Sequence, residues 1–161
     1  MLMIEIIRAD LKNTLHSDAL VTLLNLYALD PMGGGEALPN FTKKNLSKEI
    51  LKRTEITVII AFDNDNPAGI INCIEGFSTF KCKPLINIHD IYVDAKYRGK
   101  GVATLLLHAA EDLAKEKGCC KITLEVLEGN NAAQSVYLKF GFDAYELDPN
   151  MGKAMFWQKN I

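Results

Sequence analysis

Tyr97-Arg98-Gly99-Lys100-Gly101-Val102-Ala103 stands between an apolar run, Leu85 to Val93 (LINIHDIYV), and a segment with strict helical spacing. Val102, Leu105, Leu106, Ala109, Ala110 and Leu113 recur at intervals of three and four, which predicts a helix with one apolar stripe. Lys115, Lys117 and Gly118 mark where it ends. The seven-residue stretch therefore joins a strand to the start of a helix. A helix start carries unpaired N–H groups and the positive end of the dipole. Gly99 and Gly101 allow a tight turn without side chains in the way, and Ala103 keeps the first helical turn accessible. Arg98 and Lys100 add positive charge, and a guanidinium can grip a phosphate with two bonds. No Ser, Thr, Asp or Asn precedes the helix to cap it, and no acid occupies its first turn. Glycines and cations before a helix also occur in plain surface loops, but an uncapped start flanked by two cations fits a phosphate better. The spacing is neither G-x-x-x-x-G-K-[ST] nor G-x-G-x-x-G, since Thr104 stands where a third glycine would be.

Outward from this turn, the chain alternates strands and helices. Ile4 to Arg8 reads as a strand and Leu15 to Leu29 as a helix, followed by Asp30-Pro31-Met32-Gly33-Gly34-Gly35. Three successive glycines predict a mobile loop, either a connector or a lid. A helix over Lys43 to Lys52 precedes two strands, Thr57 to Phe62 and Ala68 to Glu75, which form a hairpin about Asp63-Asn64-Asp65-Asn66-Pro67. Gly76 to Lys83 reads as irregular. Ile122 to Leu127 is a further strand, Asn131 to Phe140 a helix ended by Gly141, and short strands are expected near Ala144 to Leu147 and Ala154 to Gln158. Hairpins followed by strand–helix–strand–helix imply an α/β fold: a central sheet of mixed direction with helices on both faces.

The chain has 161 residues, enough for one domain, 1–161, with a real core: 48% are apolar and 24% charged. A formal net charge of -2 with scattered lysines argues against a nucleic-acid partner. Cys73, Cys82, Cys119 and Cys120 contain no C-x-x-C pair, so no metal site is expected and all four are read as reduced thiols. The opening MLMIEII is too short an apolar run for a signal peptide, and no segment approaches the roughly 20 apolar residues that span a membrane. A soluble cytoplasmic protein with no membrane partner is expected.

Asn130-Asn131 opens the later helix, where Asn131 either caps it or reaches an outside amide. Tyr137 lies on the 133–137–140 face; its hydroxyl is a core group or, on a cleft, a neutral proton donor. Arg98-Gly99-Lys100-Gly101-Val102-Ala103 resembles the [QR]-x-x-G-x-[GA] signature of the GNAT superfamily of N-acetyltransferases. Asn131, Ala133, Tyr137 and Gly141-Phe142 resemble that family's second block, and the similarity covers essentially the whole chain. The resemblance implies the acyl-CoA N-acyltransferase (GNAT) fold, its central sheet splayed between the strand ending at Val93 and the strand 122–127. It also implies acetyl-CoA as donor, with the pantetheine arm in that gap. The amides of Arg98, Gly99, Lys100, Gly101, Val102 and Ala103 would then bind the diphosphate. Ile91 and Val93 would pair with the pantetheine, Asn131 would contact it, and Tyr137 would serve the sulfur as general acid.

Transfer to an amine also needs a base. Relatives often carry a glutamate on this strand; here Asn87, His89 and Asp90 stand there. Simple alternation puts 87, 89, 91 and 93 on one face. His89 is the first choice, because an imidazole takes up a proton around neutrality; Glu125 or a water chain are alternatives. The acceptor, a small-molecule amine or a peptide or protein amine, is expected beside Glu36, Phe77 and Phe80. An acyl-CoA-binding sensor without efficient transfer is the alternative function. A homodimer is compatible with the sequence, which has no feature that fixes it.

Overall fold

The computed structural model describes residues 3–161, so the start of MLMIEII lies outside the described residues. Two compact units emerge, one ending at Leu124 and one spanning Glu125–Ile161.

The first unit holds five strands, β1 (Ile4–Arg8), β2 (Ile56–Asp63), β3 (Asn66–Ser78), β4 (Lys83–Val93) and β5 (Ile122–Leu124), in the order β1-β2-β3-β4-β5. The first four are antiparallel and β5 runs parallel to β4, so the sheet is mixed. Three helices accompany it: α1 (Thr14–Leu29), α2 (Asn40–Ile50) and α3 (Val102–Glu116). Because side chains alternate along a strand, Val58, Ile60, Phe62 and Ile70 pack with Leu20 and Leu23 of α1. Gly69, one residue from Ile70, faces the opposite way, and a Cβ there would touch Val102 and Leu106 of α3. Helices thus cover both faces, and the central strands are apolar on both sides.

In α3 the buried set is Val102, Leu106, Leu107, Ala110, Leu113 and Ala114. The stripe is rotated from the one expected, for Leu105 is exposed while Leu107 is buried. Segment 76–83, expected to be irregular, instead extends β3 and begins β4, as Phe77 pairs with Pro84 and Ser78 with Lys83.

The second unit contains α4 (Asn131–Phe140), closed by Gly141 at φ 108°. The strands expected at 144–147 and 154–158 are absent among the described residues; a single bridge, Glu146 to Lys153, stands in their place.

Candidate active site

The middle of β4 departs from simple alternation. Asn72 pairs with Asp90 and Cys73 with Ile88, so His89 is the extra residue of a β-bulge. A bulge breaks the ladder and re-aims the strand beyond it. Upstream, the Ile86 N–H donates to the Lys121 carbonyl beside β5 (3.1 Å); downstream, the Asp94 N–H donates to the Ala68 carbonyl beside β3 (3.0 Å). Even-numbered residues therefore turn from β5 towards β3 across His89. The backbone groups of Ile91 and Val93 face the other edge. Here β5 no longer follows, because its pairing with β4 stops at Ile88 and Leu124. Over residues 89–93 no strand among the described residues pairs with that edge of β4.

The bulge also corrects the expected faces. Asn87 pairs with Ile74 and Ile91 with Ile71, residues three apart on β3, so Asn87 and Ile91 do not share a face. His89 is exposed. Asp90 accepts from Asn72 Nδ2 at 2.9 Å, and the Oδ1 of that buried asparagine has no partner among the described residues.

Beyond Val93 the chain winds a 3-10 turn, Ala95–Tyr97, capped by Asp94, and enters the glycine turn. Gly99 and Gly101 have φ 73° and 82°, where glycine alone is comfortable, and a Cβ on either would meet nothing within 4 Å. Helix α3 has no side-chain cap and no acid in its first turn. Its first closing bond runs from the Leu105 N–H to the Gly101 carbonyl at 3.1 Å. Among the described residues, no acceptor meets the amides of Gly99, Lys100, Gly101, Val102, Ala103 or Thr104. The Arg98 amide differs, since it leans on the Ala95 carbonyl at 3.4 Å.

The two flanking cations are less available than expected. Lys100 Nζ donates to the Lys96 carbonyl at 2.7 Å and lies over the Tyr97 ring. Arg98 donates through Nε to the Val93 carbonyl (3.0 Å) and through Nη2 to Asp30 Oδ2 (2.8 Å), and it lies over the Tyr92 ring. The Val93 carbonyl is thus already bonded, and its N–H is the group that remains for a ligand.

Asp30 also winds the glycine loop expected to be mobile. Its side chain accepts from the Met32 N–H, and its carbonyl accepts from those of Gly33 and Gly35. Gly33 packs so closely that a Cβ would fall 1.9 Å from the Tyr27 carbonyl oxygen, while Gly34 and Gly35 have positive φ. The Met32 N–H, and after it the Arg98 guanidinium, hold the Asp30 carboxylate below its ordinary range. A lowered carboxylate adds stability above its unfolded value and loses it as pH falls through the folded value. Asp30→Asn is expected to cost about 1 kcal/mol at neutral pH, the upper end for surface pairs, since the carboxylate is largely covered while its cation is half exposed. The gap to the parent should close only below about pH 3.9, the ordinary value, as urea unfolding at both pH values would show.

Within the second unit, Asn130 and not Asn131 is the cap, accepting from the Ala133 N–H at 3.1 Å. Asn131 begins α4 with its side chain exposed. Tyr137 is buried, edge-on to Phe142 at 5.9 Å. Glu125 is exposed just past β5, and Phe77 and Phe80 are exposed along and beyond the end of β3. Among the described residues, no group of His, Cys, Asp or Glu could hold a metal ion, and no helix is long and apolar enough to cross a membrane.

This architecture is shared with known proteins. The crystal structure of a probable acetyltransferase superposes on 98% of this chain and 99% of its own, with a TM-score of 0.81 at 26% identity. An aminoglycoside N-acetyltransferase solved with CoA has the same fold, with a TM-score of 0.75 at 20% identity over 99% of this chain and 96% of its own. An uncharacterised N-acetyltransferase of Methanocaldococcus jannaschii is 31% identical over 101 residues, 62% of this chain. The thialysine N-epsilon-acetyltransferase of Bos taurus is 35% identical over 65 residues, 40% of this chain. These matches span 45% and 38% of the two relatives' own lengths. The model of the acetyltransferase (GNAT) family matches residues 20–142, a stretch that takes in the bulged strand, the glycine turn and the helix of Tyr137, and the chain belongs to that family.

Proposed function

We propose that the protein transfers an acetyl group from acetyl-CoA to a primary amine by direct attack in a ternary complex. The observation that carries this reading is the run of amides from Gly99 to Thr104 that meet no acceptor among the described residues. They lie at the positive end of α3, beside glycines at which an added Cβ meets nothing within 4 Å, and this donor set fits a diphosphate. Acetyl-CoA supplies a thioester, whose carbonyl carbon is the electrophile.

The chain's own groups divide the remaining work. The N–H and C=O of Ile91 and the N–H of Val93 hold the pantetheine arm as an added strand would. The Val93 N–H also suits the carbonyl oxygen, where a fixed donor counts most as charge develops. Asn131 offers its exposed amide to the same arm. His89, lifted out of the ladder by the bulge, takes the proton from the attacking amine, directly or through water. Tyr137 returns a proton to the departing sulfur.

The acceptor class is set by no single side chain. Proteins similar to this chain are named for thialysine, for N-alpha-acetylation and for aminoglycosides, so a thialysine, an α-amine and an aminoglycoside form the natural panel. Free thiol release from acetyl-CoA is expected with at least one of them. Coenzyme binding with no release across the panel would favour a binding module, and no affinity for coenzyme A in calorimetry would remove the proposal altogether.

A further inference from the structure

We propose that Arg98 is a positioning residue, a strut between the glycine turn before α3 and the Asp30–Gly35 turn, and not a phosphate ligand. Its guanidinium is a rigid planar fork. One side of that fork is committed to the Val93 carbonyl and the Asp30 carboxylate, and the plane lies over Tyr92. Tyr92 in turn stacks on Tyr27 of α1 at 5.6 Å. Swinging the guanidinium towards a phosphate would break both bonds at once. The Asp30 side chain, only 19% exposed, would be left without its cation.

The same carboxylate holds Met32, and the Asp30 carbonyl holds Gly33 and Gly35. One ion pair therefore fixes the entry to α3 at one end and the wound α1–α2 connection at the other. Ordering either turn lowers the cost of ordering its partner, which is positive coupling between them. Arg98 then contributes to coenzyme affinity indirectly, by keeping the amide cradle in shape.

The strut rests on contacts within the protein; only its effect on affinity rests on the reading of Gly99 to Thr104 as a diphosphate site. Coenzyme A affinity should be measured by calorimetry for the parent, Asp30→Asn, Arg98→Gln, Arg98→Lys and the Asp30→Asn/Arg98→Gln double variant. Each single substitution is expected to weaken binding about fivefold to tenfold, in the range of coupling energies, and the double no more than either single. Arg98→Lys keeps the charge but not the fork, so it should lose as much as Arg98→Gln. A further loss on adding Arg98→Gln to Asp30→Asn, full retention in Arg98→Lys, or unchanged or tighter binding in Asp30→Asn would each overturn the proposal.

Hydrogen exchange on the free protein provides a second readout. Asp30→Asn should speed exchange at Tyr97 and Arg98 as well as at 32–36, and acceleration confined to 32–36 would equally overturn it. If the parent protein fails to bind coenzyme A, the donor reading falls while the exchange result still decides on the strut.

Discussion

Gly101→Val is expected to weaken coenzyme A binding by at least about 100-fold, the loss of two amide bonds to a charged acceptor at about 1.5–3 kcal/mol each. The residue has φ 82° and provides the last non-helical link before α3. A β-branched residue is a genuine outlier at that angle, and holding it there costs about 1–3 kcal/mol. The turn should relax by rotating out of the left-handed region, which redirects the amides of Gly101 and Val102 away from a common point. The added side chain also enters space that the protein leaves open, since a Cβ at Gly101 meets nothing within 4 Å. Folding should suffer much less than binding, because no packing contact is lost. The expected drop in Tm is a few degrees, at about 2–4 °C per kcal/mol for a chain of this size. Gly99→Ala, at φ 73°, should show the same imbalance in weaker form. Unchanged affinity in Gly101→Val, measured on protein that melts normally, would mean that the turn does not hold the diphosphate.

What the sequence conveys and what only the fold can show differ from element to element. The glycine turn and α4 are written locally: backbone angles, caps and helical spacing depend on neighbours within a few positions. That is why the span 131–140 and the stop at Gly141 agree with the structure. Arg98 is the opposite case. Its guanidinium meets Asp30, 68 positions away, and nothing local to either residue encodes the pairing. Asn131 was the expected cap of α4 or a contact to an outside amide, and the geometry makes the preceding Asn130 the cap instead.

The bulge at His89 was invisible for a related reason. The run LINIHDIYV alternates acceptably in either register, and only pairing with β3 reveals the extra residue. Its consequences reach β5, which ends at Leu124 although ITLEVL continues to alternate. Past Ile88 the bulge reverses which residues of β4 face that edge, so the register of the ladder with β5 is broken there. The interruption that cuts β5 short is thus what leaves Ile91 and Val93 with outward backbone groups. For the three glycines after Pro31, composition does not convey the wound turn that the Asp30 carboxylate and carbonyl hold. Gly33 is required by the Tyr27 carbonyl against it, and Gly34 and Gly35 by their angles.

Tyr137→Phe is expected to lower kcat by about 100-fold to 10,000-fold, the usual contribution of a positioned proton donor. A departing thiolate is basic enough to need a proton near neutrality, the ordinary thiol value being about 8.5. A phenol that stays neutral there can supply it. The substitution is informative because it removes one oxygen and keeps the ring. Tyr137 is only 9% exposed and packs edge-on against Phe142, contacts that phenylalanine preserves. Coenzyme A affinity should therefore stay within about twofold of the parent, the pattern of an interaction made only as the reaction proceeds. Stopped-flow measurement of thiol release, beside calorimetry on the same preparation, separates the possibilities. A parallel fall in affinity and rate would assign Tyr137 to the shape of α4. Equal turnover with intact binding would leave solvent to protonate the sulfur and strip the residue of its proposed role.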